Sequence, residues 1–357
     1  MNDLHWAVIV GINRYPGISD LHGPRNDAAD FVSWLVDADG GDVPADHVVE
    51  VRASDDAAPL QDPFEALPTQ QDVNRALAKV NAEVKGAAPG PVEWQKTRLY
   101  VFMAGHGIAP QGGKAALLMA DASKDTLGAN VELSRYADWY ESCSVFSEVV
   151  FFADCCRNRM GQAPSYGPPF TSCTMTPADV VAVLGFASSL GDPAFEEREH
   201  EAPPDGRRGY FTRALIAGLR GGARDPATGE VTSTSLATYV RTAVQEATKD
   251  RTPRQDATMI ADPSRPVVFR AAAAGGAAVR PTRRVRIEPP EGWQGGPVDI
   301  LGPEGQPVER WDPATGPFDR PLPEGFYGVV LAGTRDAATF AGGGMFAVIG
   351  GDVDVRL

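Results

Sequence analysis

The sequence predicts an α/β fold: a mostly parallel six-stranded sheet flanked by helices on both faces, plus a small C-terminal all-β, sandwich-like domain. Three observations carry that expectation. At 357 residues the chain suits a large α/β domain with a small appendage, and its 43% hydrophobic content supports a sizeable core. Apolar runs of strand length alternate with segments of helical period, as in parallel strands joined by crossover helices. From residue 271 that alternation stops, and Pro and Gly punctuate short alternating segments.

Taken in order, "WAVIVGI" (6–12) is the first strand, and "NDAADFVSWLVDA" is a helix that Asn26 or Asp27 can cap. "HVVEVRA" (47–53) is the second strand, followed by the helix "TQQDVNRALAKVNAEV" with Thr69 at its cap. "RLYVFMAG" (98–105), the helix "LSRYADWYESC", "EVVFFAD" (148–154) and "VVAVLGFA" (180–187) come next. The helix "YFTRALIAGLRGG" stops at Gly221 and Gly222, and the helix in "STSLATYVRTAVQEAT" starts after Ser233 or Ser235. A sixth strand is either "ATMIAD" or the later "RPVVF". These elements assign residues 1–270 to one domain. The Ala/Gly-rich run 271–282 reads as a linker, and "RRVRIEPP", "GPVDILGP", "FYGVVLAG" and "VDVRL" as strands of a β-sandwich over 283–357. No internal repeat is present.

A formal net charge of −14 opposes a surface that tracks phosphates, so nucleic acid is excluded as a partner and basic partners are favoured. The N-terminus carries no basic leader and no segment reaches membrane-spanning length, so no membrane association is expected. Four cysteines, at 143, 155, 156 and 173, show no CxxC spacing and no disulfide framework. The expected compartment is reducing and cytoplasmic.

Two strand ends carry the chemistry. "VFMAGHGIAP" (101–110) delivers His106 between two glycines, and "EVVFFADCCR" (148–157) delivers Asp154, Cys155 and Cys156. In an open α/β sheet the carboxyl ends of the strands form the reactive crevice, so His106 and Cys156 face each other if their strands are neighbours. An imidazole promotes the thiolate and later protonates a leaving amine. The N–H groups of Gly107 and Cys156 are the natural oxyanion donors. Other cysteine or nucleotide chemistries fail on spacing: no Arg follows either cysteine at the phosphatase offset, no zinc-ligand set appears, and GxGxxG, GxxxxGK[ST] and G-x-S-x-G are absent.

Strand-Gly-His-Gly paired with strand-Asp-x-Cys, fifty residues apart, resembles the caspase superfamily, nearest to metacaspases and their bacterial relatives. "AVIVGINRYPGISDLHGPRNDA", "GFASS" and "GYFTRALIAGLRG" resemble further stretches of that family, so the likeness covers about residues 4–270. The chain departs from metacaspases after the cysteine, where Arg157, Asn158 and Arg159 replace the usual His-Ser-Gly. The resemblance implies a caspase-like sheet and a cysteine endopeptidase. It selects Cys156 over Cys155 as nucleophile, which fits the alternation of side chains along a strand. Cys155 then reads as a small buried hydrophobe.

By the same resemblance Asp154 and Asp121 are acids of the substrate pocket, and two carboxylates there favour Arg or Lys before the scissile bond. Ser188 or Ser189 lines that pocket. Residues 191–209 form an exposed, Pro/Gly-broken loop whose Arg207 and Arg208 offer a site for self-cleavage or for an activating upstream protease. A role in bacterial stress or antiviral defence is implied for the family. No cofactor is implied, and no EF-hand spacing supports calcium. The rival reading is a catalytically inactive caspase-like scaffold that binds proteins through the β module. A cysteine transpeptidase on the same site is a third.

Overall fold

The structure, a computed structural model, describes residues 2–55, 60, 62–110, 114–160, 162–171, 180–198, 201–203, 206–225, 228–272, 282–289, 292–302, 306–323, 325–332, 345–348 and 352–356. Cys173 and most of the expected linker, 273–281, lie outside the described residues. In chain order the first elements are β1 (His5–Gly11), α1 (Pro24–Val36), β2 (Val48–Glu50), α2 (Gln70–Ala87), α3 (Pro91–Trp94) and β3 (Arg98–Ala104). Then come β4 (Gly107–Pro110), β5 (Ala116–Leu118), β6 (Asn130–Glu132), α4 (Leu133–Cys143), β7 (Glu148–Asp154), β8 (Asn158–Met160) and β9 (Val181–Phe186). The peptide continues through α5 (Tyr210–Ala217), β10 (Val231–Thr232), α6 (Ser233–Ala247), β11 (Thr258–Ile260) and β12 (Val268–Arg270). The last strands are β13 (Thr282–Glu288), β14 (Val298–Leu301), β15 (Pro307–Trp311), β16 (Phe318–Pro323), β17 (Gly325–Leu331), β18 (Met345–Val348) and β19 (Val353–Arg356).

Six strands form the central sheet in the order β11-β9-β7-β3-β1-β2. All neighbours run parallel except β11, which pairs antiparallel with β9 at one edge. The sixth strand is therefore "ATMIAD", while "RPVVF" ends in β12, which pairs with β10 outside this sheet. Side chains on a strand alternate between faces, and here both faces are covered. Val8, Val101, Met103, Val149 and Phe151 pack against α2 and α4 on one side. Ala7, Ile9, Phe102, Val150 and Phe152 pack against α1, α5 and α6 on the other. A smaller sheet, β6-β5-β4-β8, sits beyond the carboxyl ends of β3 and β7. The C-terminal strands form sheets β16-β13-β19 and β15-β14-β17-β18, which enclose a core of Val285, Ile287, Val298, Ile300 and Tyr327.

Three helix starts refine the sequence reading. Thr69 does precede α2, with both its N–H and its hydroxyl donating to Asp72. Neither Asn26 nor Asp27 caps α1. The helix begins two residues earlier at Pro24, whose fixed φ suits a first turn, and the Asp27 carboxylate is engaged elsewhere. In α6 the cap is Thr232, whose Oγ1 accepts from the Ser235 N–H at 3.2 Å, so Ser233 lies inside the helix. The edge strand β2 is also shorter than the apolar run 47–53 suggests.

Candidate active site

β3 and β7 are in-register neighbours, with Ala104 opposite Asp154, so their tips deliver adjacent loops. The Gly105 N–H donates to the Asp154 carbonyl at 3.1 Å, which fixes the two exits together. Two glycines are needed for close approach. A Cβ on Gly105 would fall 2.2 Å from the Tyr15 hydroxyl, and one on Gly107 would fall 2.5 Å from the Cys155 sulfur. His106 and Cys156 accordingly line one cavity of about 480 Å³.

The His106 ring is oriented from two sides. Its Nε2 lies 2.9 Å from the Ser19 carbonyl, and its edge meets the Tyr15 ring with centroids 4.8 Å apart. Because a carbonyl only accepts, Nε2 carries the hydrogen and Nδ1 is the basic nitrogen. Tyr15 is buried, and its hydroxyl accepts from the His106 N–H and donates to the Leu118 carbonyl, both at 3.0 Å. Burial lowers the imidazole pKa below its ordinary value, with the Ser19 carbonyl, Glu196 and Asp20 opposing that shift. The ring is thus neutral at neutral pH and ready to accept a proton.

Cys156 is half-buried, and its sulfur accepts from the Ala194 N–H at 3.2 Å and faces the Ala194 carbonyl at 3.5 Å. Burial raises its thiol pKa, with Asp154 and Glu196 adding to the effect, so the resting sulfur is protonated. Cys155 is 2% exposed and sits against Gly107, and burial drives its pKa up far more strongly. Arg157, next in sequence, is buried and donates to the Lys114 and Ser188 carbonyls, with its guanidinium 4.4 Å from the centroid of Phe186.

Four acidic residues line the same cavity: Asp154, Asp27, Glu196 and Glu197, of which Glu197 is paired with Arg213. Asp154 accepts from the Thr212 N–H at 3.0 Å and hydroxyl at 2.7 Å, and Asp27 accepts from the Gly209 N–H at 3.0 Å. Burial pushes the Asp154 pKa up to about 6 despite the Thr212 hydrogen bonds, and Glu196 adds to the rise. Asp27 is raised well above the carboxylate range, by burial first and then by Asp154. Glu196 accepts from the Gly23 N–H at 2.7 Å and the His22 N–H at 3.1 Å. These groups repel one another, and the cation that senses Asp27, Arg208, is itself paired with Asp30.

Two expected pocket residues lie elsewhere. Asp121 does not line the cavity. It follows β5, where the Gly17–Ser123 bridge holds the loop, and the charged group that influences it is Asp72. Ser188 is fully buried, with its hydroxyl donating to the Asp192 carbonyl at 3.0 Å, and the Ser189 hydroxyl reaches Asp256. Both serines shape the loop, and neither faces the cavity. Nor is the stretch around Arg207 and Arg208 loose. The Arg207 carbonyl accepts from Asn26, Arg208 pairs through its N–H and carbonyl with Glu197, and Gly209 is held by Asp27. Residues 199, 200, 204 and 205 of that segment lie outside the described residues. Among the described residues no group of three or more His, Cys, Asp or Glu is placed to hold a metal ion, and no helix is long and apolar enough to cross a membrane.

The sequence profile described as "Caspase domain" matches residues 4–264. The chain belongs to the caspase-domain family. A relative from a Desulfuromonadales bacterium, described as "Probable protease", is 29% identical over 231 residues, which cover 61% of this chain and 26% of that protein. The caspase-domain chain therefore spans about a quarter of that relative's length. Among solved structures, caspase-1 from Spodoptera frugiperda is similar with a TM-score of 0.44 and 13% identity, covering 77% of this chain and 93% of that one.

Proposed function

We propose that this caspase-domain protein is a cysteine endopeptidase that cleaves proteins or peptides after Arg or Lys, with Cys156 as nucleophile and His106 as general base and acid. The observation that carries the reading is one cavity in which a thiol and a neutral imidazole share space with four acidic residues, Glu197 alone among them being paired with an arginine. His106 Nδ1 takes the thiol proton as the sulfur attacks the scissile carbonyl carbon and forms the C–S bond. The N–H groups of Gly107 and Cys156 stabilise the oxyanion. The imidazolium then gives its proton to the leaving amine as the C–N bond breaks. Water, deprotonated by His106, hydrolyses the thioester and restores the thiol.

Asp154 and Asp27, in place of Asp154 and Asp121, are the acids proposed to receive the basic side chain. Burial and mutual repulsion favour the protonated form of these two carboxyls, and an arriving guanidinium favours the ionised form of both. An aspartyl side chain would meet like charge and be rejected. Activation by cleavage at Arg207 or Arg208 would require the hydrogen-bonded wall around them to open first. The direct test compares Cys156→Ala with Cys155→Ala on an Arg-terminated fluorogenic peptide. The first should lose at least about a thousandfold in kcat, and the second should keep most of its rate.

A further inference from the structure

The cavity is lined by charges of both signs. Opposite in sign to Asp27, Asp154, Glu196 and Glu197, the residues Arg198, Arg207 and Arg251 also line it. Nearby arginines are neutralised by the chain itself, since Arg208 pairs with Asp30 and Arg213 with Glu197. Among the described residues Arg207 and Arg251 have no ion-pair partner. Their Nε atoms are both buried without a hydrogen-bond acceptor. A desolvated guanidinium donor with no acceptor is costly, and the cost is removed when a carboxylate arrives.

Arg251 is also held in place for such a partner. Its guanidinium lies 4.5 Å from the Phe195 ring centroid and 5.2 Å from that of Tyr210, and it donates to the Glu196 carbonyl at 3.0 Å and the Tyr210 hydroxyl at 3.2 Å. A planar group stacked this way loses little further freedom on binding. Arg207 is anchored through its backbone, because Asn26 holds its carbonyl at 2.8 Å.

We propose that Arg207 and Arg251 form a second substrate subsite, which takes the carboxylate of an Asp or Glu neighbouring the basic residue in the peptide. The proposal rests on the reading of Asp154 and Asp27 as the pocket for that basic residue, and it adds the substrate class: basic at the scissile position, acidic close by. A peptide with a second basic residue at the acidic position meets Arg207 and is disfavoured.

The test is a set of internally quenched peptides with one fixed Arg, in which Glu, Gln or Lys is placed at each neighbouring position in turn. The wild-type protein should favour Glu over Gln at one position by roughly three- to tenfold in kcat/KM, with Lys worst there. Arg207→Glu should reverse the order at that position, Lys becoming best, while cleavage stays after the fixed Arg. Arg207→Gln should flatten it. A flat wild-type scan with cleavage after Arg intact overturns the second subsite alone, as does a Glu preference that survives Arg207→Glu. Failure of the wild-type protein to cleave after Arg or Lys overturns the carboxylate pocket, and the second subsite falls with it.

Discussion

The two ends of the central sheet both bury charge, and they treat it in opposite ways. At the amino end, Arg98 is 7% exposed and fully partnered: its guanidinium donates to Glu148 at 2.6 Å, the Tyr100 hydroxyl at 2.8 Å and the Val268 carbonyl at 3.0 Å. His5 beside it is held neutral, its pKa lowered to about 3 by burial and by Arg98. At the carboxyl end, Asp27 and Asp154 are raised by burial and by neighbouring carboxylates, and Arg207 and Arg251 on the same cavity keep donors unsatisfied. The lesson is that charge balanced within the chain serves the fold, whereas charge left unbalanced around a crevice is held for a ligand.

Substitutions at the two ends should separate along that line. Asp154→Asn keeps size and removes one carboxylate, so kcat/KM on an Arg peptide should fall by about a hundredfold or more. Thermal stability should hold or rise, because a repelling pair is broken up. Arg98→Met leaves the half-buried Glu148 carboxylate without its partner and should cost about 1–3 kcal/mol in denaturant unfolding. The preference for Arg over Asp peptides should stay unchanged in that variant. If both substitutions hurt stability equally and neither touches specificity, the contrast between the ends is wrong.

A pH series sharpens it further. Asp154 has its pKa raised to about 6, so it is protonated below that pH and loses its attraction for a cation. KM for an Arg peptide should therefore rise as pH falls through about 6. The fall in kcat should come below the ordinary imidazole range, because burial depresses the His106 pKa. Glu196→Gln removes the carboxylate that adds to the Asp154 rise and should shift the KM transition to lower pH. The smallest effect is expected from Ser19→Ala, under about threefold in kcat, since Ser19 orients His106 mainly through its backbone carbonyl.

How far the site is legible in the sequence follows from what each residue uses. His106, Asp154 and Cys156 stand at the ends of two apolar runs, and neighbouring parallel strands bring such ends together by topology alone. The alternating pattern announces a mostly parallel six-stranded sheet, whereas the order of its strands is set only by the crossovers seen in the structure. Asp27 looks like a helix cap, and only folding sets it beside Asp154. Ser19 works through a main-chain oxygen, which residue type does not reveal. Asp121 closes an apolar run much as Asp154 does, but its strand belongs to the small sheet, so its carboxylate ends up near Asp72. The "NRY" tyrosine, Tyr15, carries no motif of its own, although a buried hydroxyl always needs partners and here finds His106.

Treatment with an arginyl chloromethyl ketone at neutral pH, followed by peptide mapping, tests the nucleophile and the pocket together. A single adduct on the sulfur of Cys156, sharply reduced in Asp154→Asn and not formed by the aspartyl analogue, is the predicted result. An adduct on Cys155, or equal labelling by the arginyl and aspartyl reagents, would contradict it.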